Sequence, residues 1–329
     1  MRKTPALLSA LAVAAVVVAS LVGCSSSASA SCAHTYASGS ASKIVKATAT
    51  TATFPTPLVA KTPQVSVSKA GTGSPVQNGD QVDYTYNVYD GETGENILAQ
   101  TTSLRAGAVT TAKSTSIVKA LVCAASGERL SLVSSLKDAF GKGAGGTQFP
   151  DSLTLVIVID VKDHFLGKAN GINQLPLDGM PSVVTAVNGQ PGIVIQELDE
   201  PKTLRLSTIK AGSGPTVKKG STVHIKYTGW TWPSVAGDKP TVWPSPGQDA
   251  NGNPVPDGEG TWTEDKAADL TVSSSSLPPG LYKALLGAKV GSQVLAVIPP
   301  QDGFGSSSTN IGVTDKDTLI MVIDVLGIA

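Results

Sequence analysis

The sequence predicts an α+β protein built from one domain repeated twice. Three observations predict it: short motifs recur at fixed spacing, strand-forming segments alternate with a period of two, and each copy carries one short amphipathic helix. Thr154–Val161 returns at Thr318–Val325, 164 residues on, and Asp138–Gly141 and Lys119–Leu121 return as Asp302–Gly305 and Lys283–Leu285 at the same spacing. The front of each copy repeats at 141 residues: Ala70–Gly73 returns as Ala211–Gly214, and Gly79, Val82 and Tyr86 as Gly220, Val223 and Tyr227. The spacings differ by 23 residues, so the second copy carries an insertion of that size between Tyr227 and Leu281. That stretch holds all four tryptophans, Trp230, Trp232, Trp243 and Trp262.

Each element follows from local pattern. Thr222–Thr228 alternates, with Val223, Ile225 and Tyr227 on one face of a strand. Ser116–Ala124 places Ile117, Ala120, Leu121 and Ala124 on one helical stripe, and Leu281, Ala284, Leu285 and Ala288 repeat it. Pro279 suits the first turn of the second helix and Gly287 its end. Each copy closes with a strand pair, Arg129–Ser134 with Ser152–Val161 and Gln293–Ile298 with Asp317–Leu326. The closing strands are apolar on both faces and are expected at the centre of their sheets. Leu166–Gln196 reads as a connection between the copies with room for one added strand.

With 25 basic and 25 acidic residues the chain lacks the basic excess of a nucleic-acid binder. Met1–Lys3 is basic, Ala6–Val22 is apolar and too short for an ordinary membrane span, and Leu21-Val22-Gly23-Cys24 follows. This run resembles the lipobox of bacterial lipoproteins. The resemblance implies removal of residues 1–23, acylation of Cys24, anchoring to the outer face of the cell membrane, and a Ser/Ala tether after it. An ordinary secretory signal or an uncleaved anchor is the alternative. Cys32 and Cys123 remain, and in an oxidising compartment such a pair is expected to form a disulfide, with free thiols or a metal site as weaker alternatives. No C-x-x-C is present and His34, His164 and His224 are scattered, so neither a metal nor a cofactor is expected. Asp249, Asn251, Asn253 and Asp257 are spaced a little like a calcium loop. Pro254 and Gly260 stand where such a loop needs a glycine and a glutamate, which favours a plain turn cluster.

The second copy carries an ordered set: Val223–Gly229, Leu277-Pro278-Pro279-Gly280-Leu281, Leu286–Ser292, Val297–Gly305 and the terminal strand. The set resembles the FK506-binding-protein (FKBP) type of peptidyl-prolyl cis-trans isomerase, strongly over about 125 residues and more faintly in the first copy. The lipobox with two tandem copies resembles exported lipoproteins of high-GC Gram-positive bacteria. The resemblance implies an antiparallel half-barrel sheet around one helix in each copy. It also implies an apolar pocket that isomerises X-Pro bonds in exported, proline-containing polypeptides, without cofactor and as a monomer.

The implied organisation is a signal peptide (1–23), a tether and N-terminal segment (24–60), a degenerate FKBP-like domain (61–165), a linker (166–197) and an isomerase domain (198–329). The implied site is Tyr227, Trp243, Leu277, Pro278, Leu281, Phe304, Val313 and Met321. Trp243, in Thr241–Ser245, stands for the aromatic of the family's Phe-Asp pair, with Trp262 in Gly260–Thr263 as the alternative, and neither stretch has the aspartate. Four further positions depart from the family. Leu281 replaces a floor tryptophan, Phe304 a hydrogen-bonding tyrosine and Met321 a phenylalanine, while Pro278 stands where a backbone N–H usually meets the ligand and has none. Either Leu277 donates instead, or the chain is an FKBP-like chaperone without efficient catalysis. In the first copy Tyr86, Ile117, Phe140 and Ile157 hold matching positions, but Lys113 and Ser114 replace Leu277 and Pro278, which implies a non-catalytic domain.

Overall fold

Among the described residues the two larger sheets are open, antiparallel and share one core strand order, each with a helix on one face. In this computed structural model the described residues are 32–106, 109, 114–195, 198–233, 240–243, 267–305 and 313–329. The chain divides into two units, Met1–Cys32 and Ala33–Ala329, and the architecture below belongs to the second. Cys24, Lys113, Trp262 and the Asp249–Asp257 cluster lie outside the described residues.

The elements before and within the first copy are α1 (Ser40–Lys43), β1 (Lys46–Ala47), β2 (Ala52–Thr53), β3 (Gln64–Lys69), β4 (Gln81–Asp90), β5 (Asn96–Ala106), α2 (Ser116–Leu121), β6 (Arg129–Ser135), α3 (Leu136–Phe140) and β7 (Thr154–Phe165). Next come β8 (Ile172–Asn173), β9 (Ser182–Thr185) and β10 (Pro191–Val194). The second copy supplies β11 (Arg205–Ala211), β12 (Thr222–Thr231), β13 (Thr241–Trp243), β14 (Ala268–Thr271), α4 (Pro279–Leu285), β15 (Gln293–Ile298) and β16 (Leu319–Ile328). The first sheet runs β3-β6-β7-β4-β5. The second runs β8-β11-β15-β16-β12-β13, with β14 also on β12.

The repeat extends to register. Tyr86 faces Ile159 across β4 and β7, and Tyr227 faces Ile323 across β12 and β16. The irregularities recur too, at Asp83/Tyr84 and His224/Ile225, and at Val67/Lys69 and Thr208/Lys210. One difference marks the insertion. The first copy's edge strand β5 is continuous over 11 residues, whereas the second copy divides that edge between β13 and β14.

Both helices end earlier than their apolar stripe. Val122 and Leu286 are already extended, and the next residues, Cys123 and Gly287, are left-handed, with φ of 70° and 85°. Glycine takes that conformation without strain. Cys123 holds it as a half-cystine, and Cys32 and Cys123 are both disulfide-bonded. Ala124 and Ala288 still reach the cores, delivered by this turn instead of by a further helical turn. The expectation of one helix per copy needs extension: α3 follows β6 in the first copy, and a 3-10 turn, Pro300–Asp302, occupies its place in the second.

The central strands β7 and β16 are apolar on both faces because both faces are covered. On the inner faces, α2 and α4 pack against Leu130, Leu132, Ile157 and Ile159 in one sheet and against Ala296, Ile298, Met321 and Ile323 in the other. On the outer faces the cover comes from the chain preceding each copy. Ala41, Val45 and Leu58 pack on Tyr89, Val133, Val156 and Val158. Met180, Val183 and Ile193 pack on Leu295, Val297, Ile320 and Val322, with Trp230 and Trp232 in the same cluster. The segment read as a connection is therefore largely a cover, and it adds a two-stranded hairpin, β9 with β10, as well as β8.

The copies differ at one buried carboxylate. In the first, Asp160 is paired with Arg129 at 2.7 Å. Its counterpart Asp324 accepts from the Gln293 Nε2 at 2.8 Å and the Ala169 N–H at 2.6 Å. Burial outweighs these neutral donors and the charges of Lys210 and Lys226, and pushes Asp324 up to about 6. The folded chain therefore holds a proton that the unfolded chain has lost between about pH 4 and pH 6, so raising the pH through that window lowers stability. A carboxyl NMR titration is expected to show Asp324 near pH 6. Gln293→Arg, which copies the first domain's pair, should return it to about 4 or below and flatten the stability–pH slope.

Candidate active site

The second domain opens a cleft of about 540 Å³ between α4, the 3-10 turn and the inner face of the sheet. The period-two alternation of β12 sends Ile225 and Tyr227 into it, β16 adds Met321, and β14 adds Ala268 and Leu270. Leu281, on the first turn of α4, and Met321 form a buried floor, 4% and 1% exposed. Tyr227, Leu277 and Phe304 are half-buried walls packed against the same core, and Ser275 and Ser276 bring hydroxyls to the rim. Burial raises the Tyr227 phenol above its usual range, which keeps it protonated near neutrality.

Of the eight expected site residues, Tyr227, Leu277, Pro278, Leu281, Phe304 and Met321 line this one cleft. Val313 is 5% exposed, lies in the core cluster and is not part of the lining. Trp243 is on β13 opposite Gly229, and its side chain lies outside the described residues. Ala268, Leu270 and the two serines were not anticipated. Only the alternation Ala268-Asp269-Leu270-Thr271 signals a strand there, after the insertion that the first copy lacks.

Where the chain enters α4, the lip offers little backbone donation. Pro278 and Pro279 have no N–H. The Leu277 N–H donates to the Ser273 carbonyl at 3.0 Å, closing the turn that leads into α4. The substitute donor expected at Leu277 is thus already engaged within its own turn. What the cleft offers a ligand is chiefly apolar surface with hydroxyls at its edge.

Gly280 sets how closely α4 approaches the end of β15. A Cβ there would stand 2.5 Å from Ile298 Cγ2 and 3.1 Å from the Asp302 carbonyl oxygen, so only glycine lets α4 lie this close to the end of β15. Gly280→Ala is expected to cost about 1–3 kcal/mol by overpacking, read as a lower denaturation midpoint at unchanged slope. The Lys283–Asp302 bridge above it, 2.9 Å long with Lys283 half in solvent, adds little.

In the first domain Tyr86 lies 6.1 Å from Phe140 and stacks on Tyr84 at 6.0 Å. Tyr84 stands where the second domain has Ile225, so an extra ring occupies the equivalent of a cleft position. Ile117 and Ile157 are buried in that core. Among the described residues no group of three or more His, Cys, Asp or Glu can hold a metal ion, and no helix is long and apolar enough to cross a membrane.

Residues 214–326, the segment that contains this cleft, match the family described as FKBP-type peptidyl-prolyl cis-trans isomerase. The first copy shares the strand order and register of this segment, so the chain holds two tandem FKBP-like half-barrel domains. Among solved structures it is similar to the three FKBP domains of wheat FKBP73, at 19% identity and a TM-score of 0.32, over 81% of this chain and 94% of that one. It is also similar to FkpA from Escherichia coli, at 19% identity and a TM-score of 0.26, over 44% and 51%, and to the N-terminal domain of FKBP42 from Arabidopsis thaliana, at 14% and 0.28, over 32% and 87%. No curated protein sequence matches the chain.

Proposed function

We propose that the chain is a prolyl isomerase acting on exported polypeptides, with its activity in the C-terminal domain, residues 198–329. The observation that carries the reading is the convergence of Tyr227, Leu277, Leu281, Phe304 and Met321 on one apolar cleft, inside the segment that matches the isomerase family. Rotation about X-Pro crosses a barrier of about 18–20 kcal/mol because it breaks amide resonance. The twisted imide is less polar than the planar one. A water-poor apolar cleft therefore stabilises the twisted form relative to the planar one. The proline ring would sit on Leu281 and Met321 between Tyr227 and Phe304, and no covalent step, metal or cofactor is required. The first domain, residues 61–165, serves as a non-catalytic platform. The mature protein is a monomer held at the outer face of the membrane by lipid on Cys24.

A second reading, an FKBP-like client binder without efficient catalysis, is favoured by the engaged Leu277 N–H and the two prolines beside it. A protease-coupled or isotope-edited assay on an X-Pro peptide separates the two. The isomerase reading expects a rate above buffer that falls at least about tenfold in kcat/KM for Tyr227→Ala, and a gain for Pro278→Ile, which restores an N–H. No acceleration, together with binding to unfolded chains, selects the second reading. The anchor is tested separately: metabolic labelling with a radioactive fatty acid should mark the wild-type chain and not Cys24→Ser.

A further inference from the structure

The four-residue strand β14 carries two lining residues of the cleft, yet among the described residues it pairs with β12 alone. A short strand with one neighbour is weakly held. Its alternation sends Ala268 and Leu270 inward against the core and Asp269 outward. Outward, Asp269 meets groups from the first domain. The Arg105 Nη1 donates to Asp269 Oδ2 at 3.1 Å, and Asp269 Oδ1 lies 2.6 Å from Nδ1 of the fully buried His224 on β12.

Arg105 is itself fixed. Its Nε and Nη2 donate to the two carboxylate oxygens of Asp83 at 2.7 and 2.9 Å, a fork that only a guanidinium makes. Its charge sits 4.9 Å over the Phe165 ring, and that ring packs on His224 at 4.4 Å. Gln81, also from the first domain, has its Oε1 3.0 Å from His224 Nε2. The repeat places Asp83 and Arg105 opposite one another on β4 and β5, just as it places His224 and Asp269 on β12 and β14. The junction thus joins equivalent positions of the two copies.

We infer that the first domain positions a wall of the second domain's cleft, with Arg105 as the positioning residue that anchors β14 through Asp269. The inference rests on the reading of this cleft as the site. The insertion interrupts the edge that β5 completes by itself in the first copy, and Arg105 replaces the lost support from outside.

Hydrogen exchange and kinetics on the full-length chain test it. Arg105→Ala and Asp269→Asn should each lower protection of the 268–271 amides about tenfold at neutral pH, leaving β15 and β16 unchanged. Each should raise KM for a prolyl peptide with a smaller effect on kcat. The double variant should be no worse than either single one, and Arg105→Lys should recover only part. Unchanged protection of β14, loss spread equally over β15 and β16, or a loosened β14 with unchanged peptide affinity would each overturn the inference. If the wild-type chain shows no isomerase activity, exchange and peptide affinity still decide it, so a failure of the site assignment is distinguishable from a failure of the coupling.

Discussion

The structure depends on one constraint: the central strand of each sheet is apolar on both faces, so each domain needs two covers. The inner cover is a helix of six or seven residues, too short to be stable without the sheet. The outer cover is irregular chain with little regular structure of its own. Neither cover persists alone, and the sheet without them would expose Val, Ile and Leu on both sides. The cleft is a by-product of this arrangement. It lies where α4 and its leading turn reach the end of the sheet, and Gly280 sets how closely they do so.

Duplication kept this frame while the chemistry at equivalent points diverged. Arg129 and Asp160 form an ion pair where Gln293 and Asp324 do not. A half-cystine takes the left-handed position in one copy and a glycine in the other. Tyr84 adds an aromatic ring where Ile225 leaves an aliphatic wall. These differences leave strand order and register untouched, because backbone pairing and core volume hold the frame and tolerate change at its margins. The second copy gained an interrupted edge, and the first copy contributes groups that meet it.

Much of this was legible from residues alone. The fixed spacings at Thr154–Val161 and Ala70–Gly73 anticipated the repeat, and strand registers and bulges follow the same spacing. Two-sided apolarity placed β7 and β16 in the centre. The convergence of Tyr227, Leu281, Phe304 and Met321 followed from alternation and from the family resemblance together. The outer covers were not legible, since Met180, Val183 and Ile193 have no periodicity that distinguishes a cover from a connection. Val313 was drawn into the site because a resemblance transfers an aliphatic residue without the depth at which it is buried. The engagement of the Leu277 N–H was hidden too, because a turn closed by a serine carbonyl leaves no side-chain signature. The junction at His224 was out of reach: Arg105, Asp83 and Asp269 are ordinary surface charges until the two domains are placed side by side.

The last strand of each copy in sequence lies in the interior of its sheet. A chain that folds as it emerges N-terminus first would hold β11, β12 and β15 with a gap between β12 and β15 until residues 319–328 follow. During that interval two unpaired edges face each other across an open apolar floor, a state that invites pairing with other chains. A protein proposed to act on unfolded polypeptides would itself pass through such a state.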